Sequence, residues 1–250
     1  MTKTATNKTE NQAVVYKIPA AFALMLAVLT LLRRLGRYYA TADGFAAVRS
    51  ACGIAMIVCG LLFAAAIAAA ILAKKPLVRT ISFYVLAFGA LGFVTALLLR
   101  LYWTTFLMHI YLLHALSYCL YMVWQLYHAE FFTFSLATAS AGVVFFLLSR
   151  GFGANARTIV PVALLLVVLV GVALCAFLAS KDAGRIRLGK KRLALFPARF
   201  NPLLLYFPCA LWAALTVLCL ICGPVLAYYC MFAAVGLELL GAVYYTFQLK

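Results

Sequence analysis

Glu238 and His114 are the residues of this chain whose types and positions could do chemistry. Each sits inside a long apolar run, His114 between Leu101 and His128, Glu238 after the Gly223-Pro224 pair. A carboxyl within such a run is expensive to keep in a membrane, and residues of this kind mark ligand or proton paths. A His–Glu pair in that setting stabilises both charged forms and can relay protons or hold a polar ligand. With eight spans, Glu238 lies about thirteen residues into the last, roughly 20 Å deep at 1.5 Å per residue. The same depth in a span starting at Tyr102 falls at Ala115, beside His114. Two other outcomes stay open: the pair fixes helix packing by a hydrogen bond, or the two residues never meet.

His114 belongs to a stripe. Tyr111, His114, Tyr118, Tyr121, Gln125 and His128 step by three, four, three, four and three, so on a helix they share one narrow face. A polar stripe on a membrane helix turns away from lipid, towards other helices or a wet cavity. The expectation is that this helix is the hub of the molecule. A polar, aromatic cleft on it would bind an unknown small molecule, with Glu238 and His114 at its floor. Tyr102, Trp103, Trp124 and Tyr127 fit the aromatic belts at membrane interfaces. Tyr111, Tyr118 and Tyr121 lie deeper, where a hydroxyl needs a partner. Interhelical hydrogen bonding is the rival use of these hydroxyls.

Other chemistry finds less support. All three histidines lie on one helix, and His109 and His114 point about 140° apart around it, which does not suit two axial ligands of one haem. His128 and Glu130 are too few to make a metal site. Cys219-Leu-Ile-Cys222 has redox spacing but ends an apolar span, where the helix dipole opposes a thiolate, so packing is the expected role. No Ser-His-Asp spacing, HExxH motif or phosphate-cradling loop occurs. The acidic residues are Glu10, Asp43, Glu130, Asp182 and Glu238, and no two are neighbours. An enzyme is therefore the least favoured class, and no metal or other cofactor is expected.

The elements that must position these groups follow from composition. The chain is 68% hydrophobic and 10% charged, with a mean hydropathy of +1.10. Soluble domains are about half apolar and about a quarter charged. Successive apolar stretches of membrane length give an all-α fold, a polytopic transmembrane helical bundle. The net charge of +16 reads as cytoplasmic loops and lipid contact rather than nucleic acid, because no basic domain exists outside the spans. The eight cysteines lie in apolar runs and are no secreted disulfide framework.

Residues 1–12 are expected to form a disordered cytoplasmic tail, and 13–250 a single transmembrane domain. The spans are expected at about 13–32, 50–73, 80–99, 102–126, 131–149, 158–179, 202–222 and 225–247. A cleaved signal peptide is disfavoured because Arg33, Arg34 and Arg37 directly follow the first apolar core. Gly53 and Gly60 share a face of span two, and Ser135, Thr138, Ala141 and Gly142 make a small-residue packing face on span five. The near-absent loop after Arg100 predicts a hairpin of spans three and four. Pro208 predicts a kink and Gly223-Pro224 a sharp reversal.

Placing both termini in the cytoplasm puts most lysines and arginines on that side, including those of the long basic loop 180–201. Arg33, Arg34, Arg37 and Arg49 fit this poorly. If 35–48 instead folded back along the membrane, a seven-span count would follow. Lys181, Arg185, Arg187, Lys190, Lys191 and Arg192 are expected to contact anionic lipid headgroups; docking of a membrane or cytoplasmic protein partner is their second use. The resulting expectation is a multi-pass protein of a bacterial-type plasma membrane, a small-molecule permease or substrate-capture subunit. The alternative is a non-catalytic scaffold or regulatory subunit of a membrane complex.

Overall fold

The computed structural model describes residues 3–73, 75–102, 105–150, 153, 155–181, 184–188, 191–194, 196–197 and 200–248. Among them are eight helices: α1 (Lys3–Tyr39), α2 (Ala42–Leu72), α3 (Pro76–Leu101), α4 (Phe106–Leu126), α5 (Ala129–Arg150), α6 (Ala156–Ser180), α7 (Leu203–Cys222) and α8 (Pro224–Gln248). By length and composition, each is able to cross a membrane. Eight such helices are compatible with a multi-pass membrane protein. The helical class carries one exception. Within the basic loop, β1 (Arg185–Leu188) and β2 (Lys191–Ala194) pair antiparallel, with Arg187 opposite Arg192. α1 is helical from Lys3, where composition predicts a disordered tail.

The chain divides into two units, Met1–Tyr118 and Cys119–Lys250, with the boundary inside α4. In the first unit α2 and α3 are the main packed pair. They run antiparallel: a Cβ on Gly53 would lie 3.6 Å from the Arg100 guanidinium, and one on Gly60 3.9 Å from the Phe93 ring. Small residues of α3 answer them. A Cβ on Gly92 would lie 2.9 Å from Cys59 Sγ, so bare backbone is what lets the two helices approach. The predicted hairpin of spans three and four is thus corrected: despite the short connection, α3 packs along α2 rather than α4.

The expected loop 33–49 is corrected too. α1 continues through Arg33, Arg34 and Arg37, and α2 starts at Ala42 and contains Arg49. Thr41 caps α2 by accepting a hydrogen bond from the Gly44 amide at 3.1 Å. A Cβ on Gly44 would lie 1.9 Å from the Tyr38 carbonyl oxygen, so the tight turn needs glycine there. Apolar residues of all four helices (Leu32, Val48, Cys52, Leu99 and Ile110 among them) form this unit's core.

In the second unit α6, α7 and α8 all pack on α5. Of α5's most apolar window 61% is buried, against 17% of α4's. Within this unit α5 is therefore the packing centre, and the physical cause is plain. α5 carries Ala137, Ala141 and Gly142 between its rings, so backbones can come close from several sides; a Cβ on Gly142 would lie 3.6 Å from that of Ala234. Its Phe145 meets the buried Trp212 of α7 edge-on at 5.9 Å. α7 runs through Pro208 and ends at Gly223, whose φ of +93° is a conformation glycine adopts without strain. Pro224 then opens α8, as the Gly-Pro pair predicts.

Candidate functional site

Both carboxyl side chains of the second unit's helices lie where α5 meets α8, with hydroxyls beside them. Glu130 stands in the first turn of α5, where a carboxylate complements the helix dipole. Ser135 and Thr138 follow on the same enclosed side, and all three are buried. α8 runs antiparallel and brings up Glu238, Gly241 and Tyr245. The Tyr245 hydroxyl donates to Glu130 Oε1 at 3.1 Å. Ser135 Oγ–H donates to Glu238 Oε1 at 2.5 Å. From α7, Trp212 Nε1–H donates to Thr138 Oγ1 at 3.3 Å. Tyr127 and Thr246 share a hydrogen bond of 3.0 Å close to the Glu130 end.

The two carboxyls differ in how fully they are satisfied. Glu130 accepts from the Tyr245 hydroxyl on Oε1 and has no orphaned buried oxygen among the described residues. Its surroundings are rings and aliphatic groups, with Phe131, Phe134, Phe196 and Leu205 buried in one cluster with Tyr245. Glu238 has one donor, on Oε1. Its Oε2 is buried and has no hydrogen-bond partner among the described residues. An ionised carboxylate offers about four acceptor sites, so Glu238 retains capacity to take a proton or a donor group.

Gly241 lies against α5. A Cβ there would lie 2.6 Å from Phe134 Cε1 and 3.3 Å from Phe131 Cε2, so phenylalanine rings of α5 fill that space. Apolar grooves lie elsewhere, between α2 and α3 along Ala66 and Ser82, and between α6 and α7 along Val162 and Leu220.

The stripe on α4 is distributed over several environments. His114 is buried, and its Nδ1–H donates to the Ile110 carbonyl of its own helix at 2.9 Å. Tyr111 is 38% exposed. Tyr118 lies against the Phe22 ring of α1 at 5.4 Å. Tyr121 and Gln125 are half-buried and His128 is exposed. His114 belongs to the first unit and Glu238 to the second; each has a hydrogen-bond partner inside its own unit. His109 stacks on Tyr102 at 4.5 Å and donates from Nδ1 to the Thr105 carbonyl at 2.8 Å.

Of the basic set, Arg185 is exposed, and Lys181 is exposed with its Nζ 4.1 Å from the Phe177 ring centroid. Lys190, and the side chains of Arg187, Lys191 and Arg192, lie outside the described residues. Cys219 is buried and its thiol contacts Cys230 Sγ on α8 at 3.7 Å, while Cys222 is exposed, so the two cysteines of the redox spacing point to different surroundings.

Comparison with protein families, with curated proteins and with solved structures finds no match to this chain. The site therefore rests on geometry. Its least legible members are Glu130, Ser135 and Tyr245. Sequence places Glu130 in a turn, and 115 positions separate it from Tyr245. The one signal that bears on it is that Glu130 and Glu238 are the two carboxyls that touch membrane-length helices away from the first unit.

Proposed function

We propose that the chain is a multi-pass integral membrane protein acting as a small-molecule permease or substrate-capture subunit, with Glu238 as the polar group it presents to its ligand. One observation carries this reading. In a seam where Glu130 accepts from Tyr245 and leaves no buried oxygen orphaned, Glu238 keeps a buried oxygen without any donor among the described residues. A carboxyl serving packing alone gains nothing from an unsatisfied oxygen, which costs about 1–3 kcal/mol. In this reading both termini face the cytoplasm of a bacterial-type plasma membrane. Lys181, Arg185, Arg187, Lys190, Lys191 and Arg192 then contact anionic headgroups on that side.

A non-catalytic scaffold is the second reading. It is favoured by the filling of the Gly241 position by Phe134 and Phe131, which makes the seam a packed joint. The two part in one experiment: purification in mild detergent and native mass spectrometry of what stays bound. A small molecule retained by the natural chain and lost in a folded Glu238→Gln variant supports capture. A stoichiometric protein partner without a small molecule moves the assignment to the scaffold. His114→Ala in the same assay tests whether the α4 stripe takes part.

A further inference from the structure

We infer that the species Glu238 takes up and releases is a proton, carried on Oε2. The inference deepens the reading of Glu238 as a binding group and rests on it. Uptake forms one O–H bond on an oxygen lone pair and release breaks it, so no co-reactant is needed.

The donor set decides against a metal ion. A hard cation takes about six to eight oxygens. Beside Glu238 the described residues supply its own carboxyl and the Ser135 hydroxyl, whose proton is already given to Oε1. Among the described residues, the helices packed on α8 place no fixed positive charge beside Glu238 either. α8 packs against α5 and α7. The titratable or charged groups of α5 are Glu130 and the terminal Arg150; those of α7 are Tyr206, Cys209, Cys219 and Cys222. α8 itself adds Tyr228, Tyr229, Cys230, Tyr244 and Tyr245. None of these is a lysine or arginine beside the carboxyl. An ionised Glu238 would bury an oxygen with neither donor nor cation, whereas the acid form places its proton there. Glu130 is the built-in comparison: the same residue type in the same seam, with the Tyr245 hydroxyl on Oε1 and no orphaned buried oxygen among the described residues.

The flank of α8 offers a way to ask. Val235, Leu239 and Leu240 are exposed next to Glu238, so an apolar reagent dissolved in lipid can approach this flank of the helix and meet the carboxyl whenever the seam opens. Dicyclohexylcarbodiimide adds to protonated carboxyls. The acid proton goes to a carbodiimide nitrogen, the carboxyl oxygen bonds the central carbon, and an acyl shift leaves a stable N-acylurea with no leaving group. Glu238 is the one carboxyl side chain of α8 and Glu130 the one of α5, so peptide masses assign the label.

The full chain in lipid vesicles should label on the α8 peptide at least about tenfold over α5, the ratio one missing hydrogen bond to a buried charge sets. Labelling should fall as pH rises and vanish in Glu238→Gln. Equal labelling of both peptides, or none on α8 at acidic pH, overturns the inference. Ligand retention is read separately. A labelled Glu238 without a retained small molecule keeps the proton and removes the permease reading. A retained ligand lost in Glu238→Gln, with no label on α8, does the reverse.

Discussion

Tyr245 and Ser135 each donate a hydrogen bond to a carboxyl on the facing helix, yet losing them has different consequences. Tyr245→Phe keeps the ring contact with Phe131 at 4.9 Å and removes the hydroxyl that donates to Glu130. Leaving part of a buried carboxyl unpaired costs about 1–3 kcal/mol. We expect a lower melting temperature in detergent, with ligand retention per folded molecule unchanged. Ser135→Ala removes the one donor to Glu238, which favours the acid form, so carbodiimide labelling of α8 should extend to higher pH. Gly241→Val drives a side chain into the Phe134 ring, and overpacking of this kind costs about 1–3 kcal/mol; thermal unfolding measures it. A melting curve equal to that of the natural chain would show that α8 does not seat against α5 as described. At this scale Glu238 was legible because a charge within an apolar run stands out in sequence. Glu130 was not, since a carboxyl at a helix start looks like part of a turn, and no local spacing announces a partner so far along the chain.

At the scale of elements, all eight helices were legible, because apolar runs of membrane length leave a backbone few other solutions. Which helix the second unit packs around was not. The regular polar stripe on α4 is conspicuous, whereas enclosure of α5 depends on small residues that look unremarkable one at a time. The β1–β2 hairpin was also hidden within a run dominated by charge. Its register pairs the backbones of Arg187 and Arg192, and both belong to the basic set proposed to contact anionic headgroups. Replacing both by serine should weaken retention of anionic phospholipid relative to phosphatidylcholine. At about 1 kcal/mol per basic charge near the surface, the loss is about 2 kcal/mol, or more than tenfold. Native mass spectrometry from mixed-lipid nanodiscs reads it. Undiminished retention of anionic lipid would detach the hairpin from headgroup binding.

For the whole molecule the proposal makes an orientation claim. A fluorescent protein fused after Lys250 should fluoresce, and a phosphatase fused there should be inactive, because folding of the first and activity of the second require opposite sides of a bacterial inner membrane. The reverse pattern would place the basic hairpin outside and leave the positive-inside argument without support.

The α5–α8 seam also sets a timetable for synthesis. α5 leaves the ribosome with Glu130 and Ser135 on its face, but their partners Tyr245 and Glu238 are 115 and 103 positions away. At about 5–20 residues per second, the wait is roughly 5–25 s. During it the nascent helix exposes a carboxyl and a hydroxyl to hydrocarbon unless something else receives them. The insertion machinery must therefore shelter α5 until the last helix arrives. A chain stopped after Cys222 should stay bound to that machinery or be degraded rather than accumulate, which pulse-chase labelling would reveal.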